Sequence, residues 1–149
     1  MNVPTILLID DSAADAQTIV AALARVVPRN EVRVYADGAA ALDFFDRPDA
    51  QPDRSSLALP RFVLLELDLP RISGLDVLRA IRAKPATRLL PVTVLSATAR
   101  QNDIRIAAGL GANSFVRKSA DTRQMADNIV ELARYWLELN IPPPIRARQ

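Results

Sequence analysis

The chain has 149 residues, half of them apolar, with 19 basic and 17 acidic side chains and a net charge of +2. That length suits one domain able to bury a core. It contains no Cys and no His, which excludes a disulfide framework and thiol chemistry and removes the commonest general base and zinc ligand. The absence of Cys fits a reducing compartment. The positive charge is nearly all Arg, scattered along the chain, and Lys occurs only at Lys84 and Lys118. No nucleic-acid partner is therefore expected. No stretch is long and apolar enough to span a membrane. The N-terminal MNVPTILLIDDS lacks the basic region and cleavage site of a signal peptide, so a cytoplasmic protein without membrane attachment is expected.

Thr5 to Ile9 reads as a short buried strand with Asp10, Asp11 and Ser12 at its carboxyl end. Ser12 caps a helix expected from Ala13 to about Val27, with Ile19, Val20, Leu23, Ala24 and Val27 on one face. Glu31 to Tyr35 is a second strand, and Asp37-Gly38 opens a second helix reaching roughly Phe45. Asp46 to Pro60 contains three prolines and reads as a surface loop. Phe62 to Leu65 is an unbroken apolar run of the kind found in a strand buried on both faces. Glu66 stands at its carboxyl end and Asp68 just beyond it; for Glu66, a strand-end charge pointing into water is the plain alternative to a site role.

A third helix is expected from about Leu75 to Arg82, ending before Pro85. Val92 to Leu95 is a fourth strand with Ser96 at its end, and Arg100 to Ala108 a fourth helix stopped by Gly109 and Gly111. Ser114 to Arg117 is a fifth strand, followed by Lys118. Asp121 caps a last helix running to about Leu139, with Gln124 placed as in a capping box. The tail IPPPIRARQ, residues 141–149, cannot continue it, so the folded domain is expected to cover residues 1–140.

Five strands alternating with five helices imply an α/β fold: a parallel, doubly wound sheet covered on both faces. Right-handed crossovers and a flavodoxin-like order of 2-1-3-4-5 put the first and third strands side by side, where ligands bind beyond the carboxyl ends. Asp10, Asp11 and Glu66 then meet Ser96 and Lys118 at one rim. Clustered carboxylates repel unless a cation relieves them, and Mg²⁺ takes oxygen ligands, usually one or two carboxylates plus waters. A Lys can neutralise an anion there and a hydroxyl can donate to it. Ser96 as a small packing residue and Phe115 as plain core are the ordinary alternatives.

In LLIDDS, LLELDLPRISG, VTVLSATA and SFVRKSAD the sequence resembles the receiver domain of two-component response regulators over nearly the whole chain. The resemblance implies that Asp10 and Asp11 are the acidic metal-binding pair, joined by Glu66 and Asp68 around a weakly held Mg²⁺. It also implies that Ser96 is the conserved hydroxyl, Lys118 the conserved lysine and Phe115 the switch aromatic. Two positions depart from the family pattern. Glu66 takes the place of the phosphoacceptor Asp, and Ser119 follows the lysine where Pro is common, which removes the reason to expect a cis bond. The ending YWLELNIPPP resembles small single-domain regulators associated with bacterial phytochromes, whose receivers dimerise. This implies a sensor histidine kinase as partner, of the phytochrome kind.

The leading expectation is a stand-alone receiver, not an enzyme, that acts through protein contacts with phosphorylation of Glu66 weak or absent. Glu extends one methylene further than Asp, roughly 1.5 Å, and is expected to reach Ser96 and Lys118 in place of a phosphoryl group. The alternatives are a Mg²⁺-dependent relay still modified at Glu66, and a phosphohydrolase. The hydrolase lacks support from an Asp-x-Asp pair or a cap segment. A homodimer is expected through Met125, Ile129, Leu132, Trp136 and Leu139, beside a second apolar row of Ala126, Val130, Ala133 and Leu137. One stripe suffices to pack a helix on a sheet. At 1.5 Å per residue the helix is about 28 Å long, so its end, with Tyr135, Trp136 and Leu139, is expected to overhang the domain.

Overall fold

The computed structural model describes residues 5–46 and 59–143. Its core strands are β1 (Ile6–Ile9), β3 (Phe62–Glu66) and β4 (Val92–Ser96), each buried along its whole length and mostly apolar, as a strand covered on both faces requires. The edge strands β2 (Val32–Tyr35) and β5 (Ser114–Arg117) are only partly covered. All pairings are parallel, in the order β2-β1-β3-β4-β5. This is the five-stranded flavodoxin-like sheet with five helices.

Alternation along each strand builds two cores. Ile6, Leu8, Phe62, Leu64 and Leu95 face α1 (Ala13–Leu23) and α5 (Thr122–Arg134). Leu7, Ile9, Val63, Leu65, Val92 and Val94 face α2 (Gly38–Phe45), α3 (Gly74–Ala83) and α4 (Gln101–Gly109). The same parity carries Asp10 and Glu66, two residues past Leu8 and Leu64, towards the α1 side.

Side-chain caps fix where most helices begin. Ser12, Asp37, Ser73 and Asp121 each accept from the backbone N–H three residues on. Gly74 has a specific reason to be glycine: a Cβ there would sit 2.2 Å from the Glu66 carbonyl oxygen. The start of α3 is thereby held against the end of β3, with the Gly74 N–H donating to the Leu67 carbonyl at 2.8 Å.

Three details depart from the sequence reading. α1 stops at Leu23, not Val27; the Arg25 and Val26 N–H groups turn back three residues to Ala22 and Leu23, and Pro28 bars further helix. The capping box at α5 forms only half. Asp121 caps Gln124, but the Gln124 amide donates to Asn128 and the Asp121 N–H goes to Ser119. The helix reaches Leu139 only by widening into a π-helical turn over Tyr135–Leu139. Of the expected loop from Asp46 to Pro60, residues 47–58 lie outside the described residues, as do residues 144–149 of the tail. Among the described residues no helix is long and apolar enough to cross a membrane, and no peptide bond is cis.

Candidate functional site

The carboxyl ends of β1, β3 and β5 bring three groups together as the topology requires. Asp10, 2% exposed, follows β1. Its Oδ1 accepts from the Ser12 N–H at 2.9 Å and its Oδ2 from Lys118 Nζ at 2.7 Å. Glu66, 5% exposed, closes β3. One of its oxygens accepts from the Asp68 N–H at 3.1 Å, and the other is ion-paired with Lys118. Glu66 is therefore not a charge in water. Lys118 follows β5, and its backbone N–H continues the sheet by donating to the Ser96 carbonyl at 2.8 Å.

A residue that the sequence reading missed completes the cluster. Asp15, in the first turn of α1, places Oδ2 2.9 Å from Lys118 Nζ. An ammonium has three N–H donors, and here each meets a different carboxylate: Asp10, Asp15 and Glu66. The Asp10 and Glu66 side chains are closed off from solvent, whereas the Asp15 side chain is 37% exposed. It lies at an open cleft of about 630 Å³, also lined by Thr18, Arg117, Lys118 and Ser119.

One cation shared by three acids leaves the cluster net negative. Burial pushes the Glu66 carboxyl above its usual range; Lys118 and the Asp68 N–H pull it back, and the nearby Asp10 charge adds to the rise. For Lys118, burial alone would favour the neutral amine. Its hydrogen bonds to Asp10, Asp15 and Glu66 outweigh that, so its pKa is raised and the ammonium is firmly charged. The two upward shifts are compatible, because three carboxylates compete for one proton-rich partner.

The remaining expected site residues stand apart. Asp11 and Asp68 are exposed, and among the described residues neither side chain makes a hydrogen bond or ion pair. Ser96 is fully buried, but its Oγ accepts from the Thr98 and Ala99 N–H groups at 3.3 and 3.2 Å. Among the described residues Glu66 makes no hydrogen bond to Ser96, so the expected double contact is only half made. The hydroxyl is held by its own loop, in which Ala99 adopts a positive φ of 47°. Phe115 is half-buried against the core on the α2-α3-α4 side.

The donor chemistry of Asp10, Asp11 and Glu66, all oxygen, suits a hard divalent cation. Their placement does not. Asp10 and Glu66 are both turned onto Lys118, and among the described residues no three acids are grouped to hold a metal ion.

The expected dimer surface also changes. Met125 and Ile129 are buried in the protein's own core, as are Val130 and Ala133. They are thus covered within the chain itself, because α5 turns much of both apolar rows toward the sheet. Trp136 does not overhang. It packs on the same core and its indole N–H donates to Thr93 Oγ1 at 3.2 Å, while that oxygen lies 2.7 Å from Ser114 Oγ. Leu132 is partly buried beside it. What remains open at this end is Tyr135, Leu139 and Ile141.

Three relatives bear on this geometry. The response regulator receiver domain family matches residues 6–130. The probable methanogenesis regulatory protein FilR2 of Methanothrix harundinacea is 33% identical over 138 residues, covering 93% of this chain and 86% of that protein. Response regulator Rcp1 of Synechocystis sp. is 29% identical over 133 residues, 89% of this chain and 88% of its own length. Rcp1 in its Mn²⁺-bound form superposes with a TM-score of 0.78 at 25% identity over 95% of this chain and 100% of that one. The phosphorylated cyanobacterial phytochrome response regulator RcpA gives a TM-score of 0.83 at 29% identity, covering 95% of this chain and 99% of that one.

Proposed function

The chain belongs to the response regulator receiver domain family, and on that premise we propose that it is a stand-alone receiver that signals through protein contacts, with phosphorylation of Glu66 weak or absent. One observation carries this reading. Both oxygens of the residue at the phosphoacceptor position are already engaged, one on the Lys118 ammonium and one on the Asp68 N–H. An attacking carboxylate must lie in line with the donor phosphorus, and a displacement of about 1 Å can cost on the order of a hundredfold in rate. Glu66 supplies about one negative charge where a phosphoryl group brings about −1.5 to −2, so it imitates the modified state only in part.

The same reading gives the chain a sensor histidine kinase as partner. The likeness to Rcp1 and RcpA supports a kinase of the phytochrome kind. Catalytic turnover of a small substrate is not part of the proposal. A divalent cation binds weakly, because it competes with Lys118 for Asp10 and Glu66. Dimerisation uses the open end of the chain, Tyr135 and Leu139, and no longer Met125 or Ile129. Light scattering at micromolar concentration tests this point: a dimer is expected, reduced to a monomer by a Tyr135→Glu, Leu139→Glu double substitution. A monomeric wild type, or a dimer indifferent to the change, counts against it.

The central test compares wild type with Glu66→Asp, each given a small phosphodonor and Mg²⁺ on a phosphate-affinity gel. Glu66→Asp is expected to shift and wild type to remain unshifted. Rapid labelling of wild type that disappears in Glu66→Gln overturns the reading in favour of a conventional relay.

A further inference from the structure

The last turn of α5 carries contacts in which the carboxyl-rim pocket has no part. A helix leaves its final carbonyls without partners of its own. Here the Leu137 carbonyl accepts from Arg61 Nη2 at 3.0 Å. Arg61 is itself fixed at the start of β3, where its backbone N–H donates to the Thr5 carbonyl at 2.8 Å. A guanidinium also complements the negative end of a helix dipole. Next to Leu137, the Trp136 indole is tied to Thr93 on β4 at 3.2 Å, and the Tyr135 ring stands edge-on to it with centroids 4.9 Å apart. The Asn140 N–H closes the widened turn on the Tyr135 carbonyl at 2.6 Å. The turn is therefore fastened at Trp136 and Leu137, and it leaves Tyr135 and Leu139 45% and 74% exposed.

We propose that Arg61 is a positioning residue for self-association: by holding the Leu137 carbonyl it keeps this π-helical turn wound, so that Tyr135 and Leu139 meet a second copy of the chain already ordered. The role rests on the dimer proposed above for this end of the chain. The charges around it favour a second copy over a strongly acidic or strongly basic partner. Glu131, Arg134 and Glu138 are exposed on the same stretch, and a face carrying both signs is self-complementary across a two-fold axis. Side chains ordered before association lower its cost. The plain alternative is that Arg61 is a helix cap that adds stability and nothing more.

The experiment measures the dimer dissociation constant by sedimentation equilibrium, and the near-ultraviolet circular dichroism of the aromatic pair, in wild type, Arg61→Met and Arg61→Lys. Met keeps the aliphatic stem and removes the donors. Arg61→Met is expected to weaken the dimer about tenfold, the scale of ordering two side chains. It should also diminish the aromatic signal at concentrations where every variant is monomeric. Arg61→Lys, which can still donate to a single carbonyl, should come within about threefold of wild type. The loss in Arg61→Met should persist at about 1 M salt, where the screening length is about 3 Å and a mere change of surface charge no longer matters. Ile19→Val trims the core under α1 and lowers stability without touching the turn, and it should leave the dissociation constant unchanged. An unaltered aromatic signal, a loss matched by Ile19→Val, a loss abolished by salt, or no recovery in Arg61→Lys would each overturn the assignment. Should Arg61→Met not fold, Arg61→Ala is read by the same outcomes. A wild type that is monomeric throughout overturns the dimer and the role of Arg61 with it, whereas a wild-type dimer indifferent to Arg61→Met overturns the role alone.

Discussion

The two rims of the sheet each carry a semi-buried cation, and they treat it in opposite ways. At the carboxyl rim Lys118 faces three carboxylates, two of them closed off from solvent. At the amino rim Arg82 has neutral oxygens only. Its Nε donates to the Gly111 carbonyl at 2.9 Å, Nη1 to the Leu90 carbonyl at 2.8 Å, and Nη2 to Asn113 Oδ1 at 2.9 Å. Asn113 in turn accepts from the Val92 N–H. Burial lowers the Arg82 pKa, with no carboxylate to offset it. Arginine tolerates this because its charge is delocalised and its planar fork matches several acceptors at once. The amino rim is thus a staple joining α3 to the turns before β4 and β5, with donors and acceptors matched. The carboxyl rim has more negative charge than its one cation neutralises. A rim of that kind keeps an unbalanced charge, whereas a saturated one only holds the fold together.

The largest effect is expected on removing the lysine. Lys118→Met leaves Asp10 and Glu66 buried without their counter-ion, a loss of about 3–5 kcal/mol at neutral pH by analogy with broken buried pairs. The sign of the pH dependence follows from Glu66. Its folded pKa is raised above the ordinary 4.5, so the folded state holds its proton more tightly than the unfolded chain. Stability associated with that proton is present in acid and is lost as pH rises through the raised folded value. Without Lys118 the rise is larger and the window extends further upward. Urea denaturation should therefore show Lys118→Met closest to wild type in mild acid and furthest from it at neutral pH. A constant difference across that range would mean that the acids are not the source of the loss.

A smaller and pH-independent effect is expected at the other rim. Arg82→Ala strands the Gly111 and Leu90 carbonyls and part of Asn113, at about 2–3 kcal/mol. Arg82→Lys should recover little, because a point charge cannot serve three separated acceptors. Mn²⁺ uptake at the carboxyl rim should be unchanged in both variants when measured well below the unfolding transition. A change in uptake would show that the rims are coupled through β4 and would break the distinction drawn between them.

Much of this was legible in the sequence, for physical reasons that also mark where reading stops. The runs at Ile6 and Phe62 are apolar on both faces and the one at Val92 nearly so, which announces central strands, and the parallel crossover rules then order the sheet. The ends of those strands placed Asp10, Glu66 and Ser96 at one rim, and the end of the fifth strand added Lys118. Asp15 escaped notice because an acid in a helix's first turn is ordinary. Only the azimuth of α1 over the sheet turns it toward Lys118. Arg82 escaped because its partners are mostly backbone carbonyls, which have no sequence signature. Trp136 was misplaced because the helix was assumed to keep its α winding to Leu139. The π-helical turn at Tyr135–Leu139 and the hydroxyls of Thr93 and Ser114 gave the indole an inward partner instead.

That indole gives the smallest and most local test of the amino rim. Trp136 donates to Thr93 Oγ1, which also shares a hydrogen bond with Ser114 Oγ. Trp136→Phe keeps most of the aromatic packing and removes one donor. Thr93 retains Ser114, so no buried hydroxyl is orphaned and the cost should be about 1 kcal/mol, the usual net worth of one hydrogen bond. Thr93→Val should cost more. It leaves the indole N–H without its acceptor and Ser114 without its partner, and a buried donor left unsatisfied loses about 1–3 kcal/mol. The double variant, Trp136→Phe with Thr93→Val, should be less destabilised than the sum of the two, because the second change removes a group the first has already released. Strict additivity in urea denaturation would show that the indole and the hydroxyl act independently. The end of α5 would then be held to β4 by packing alone.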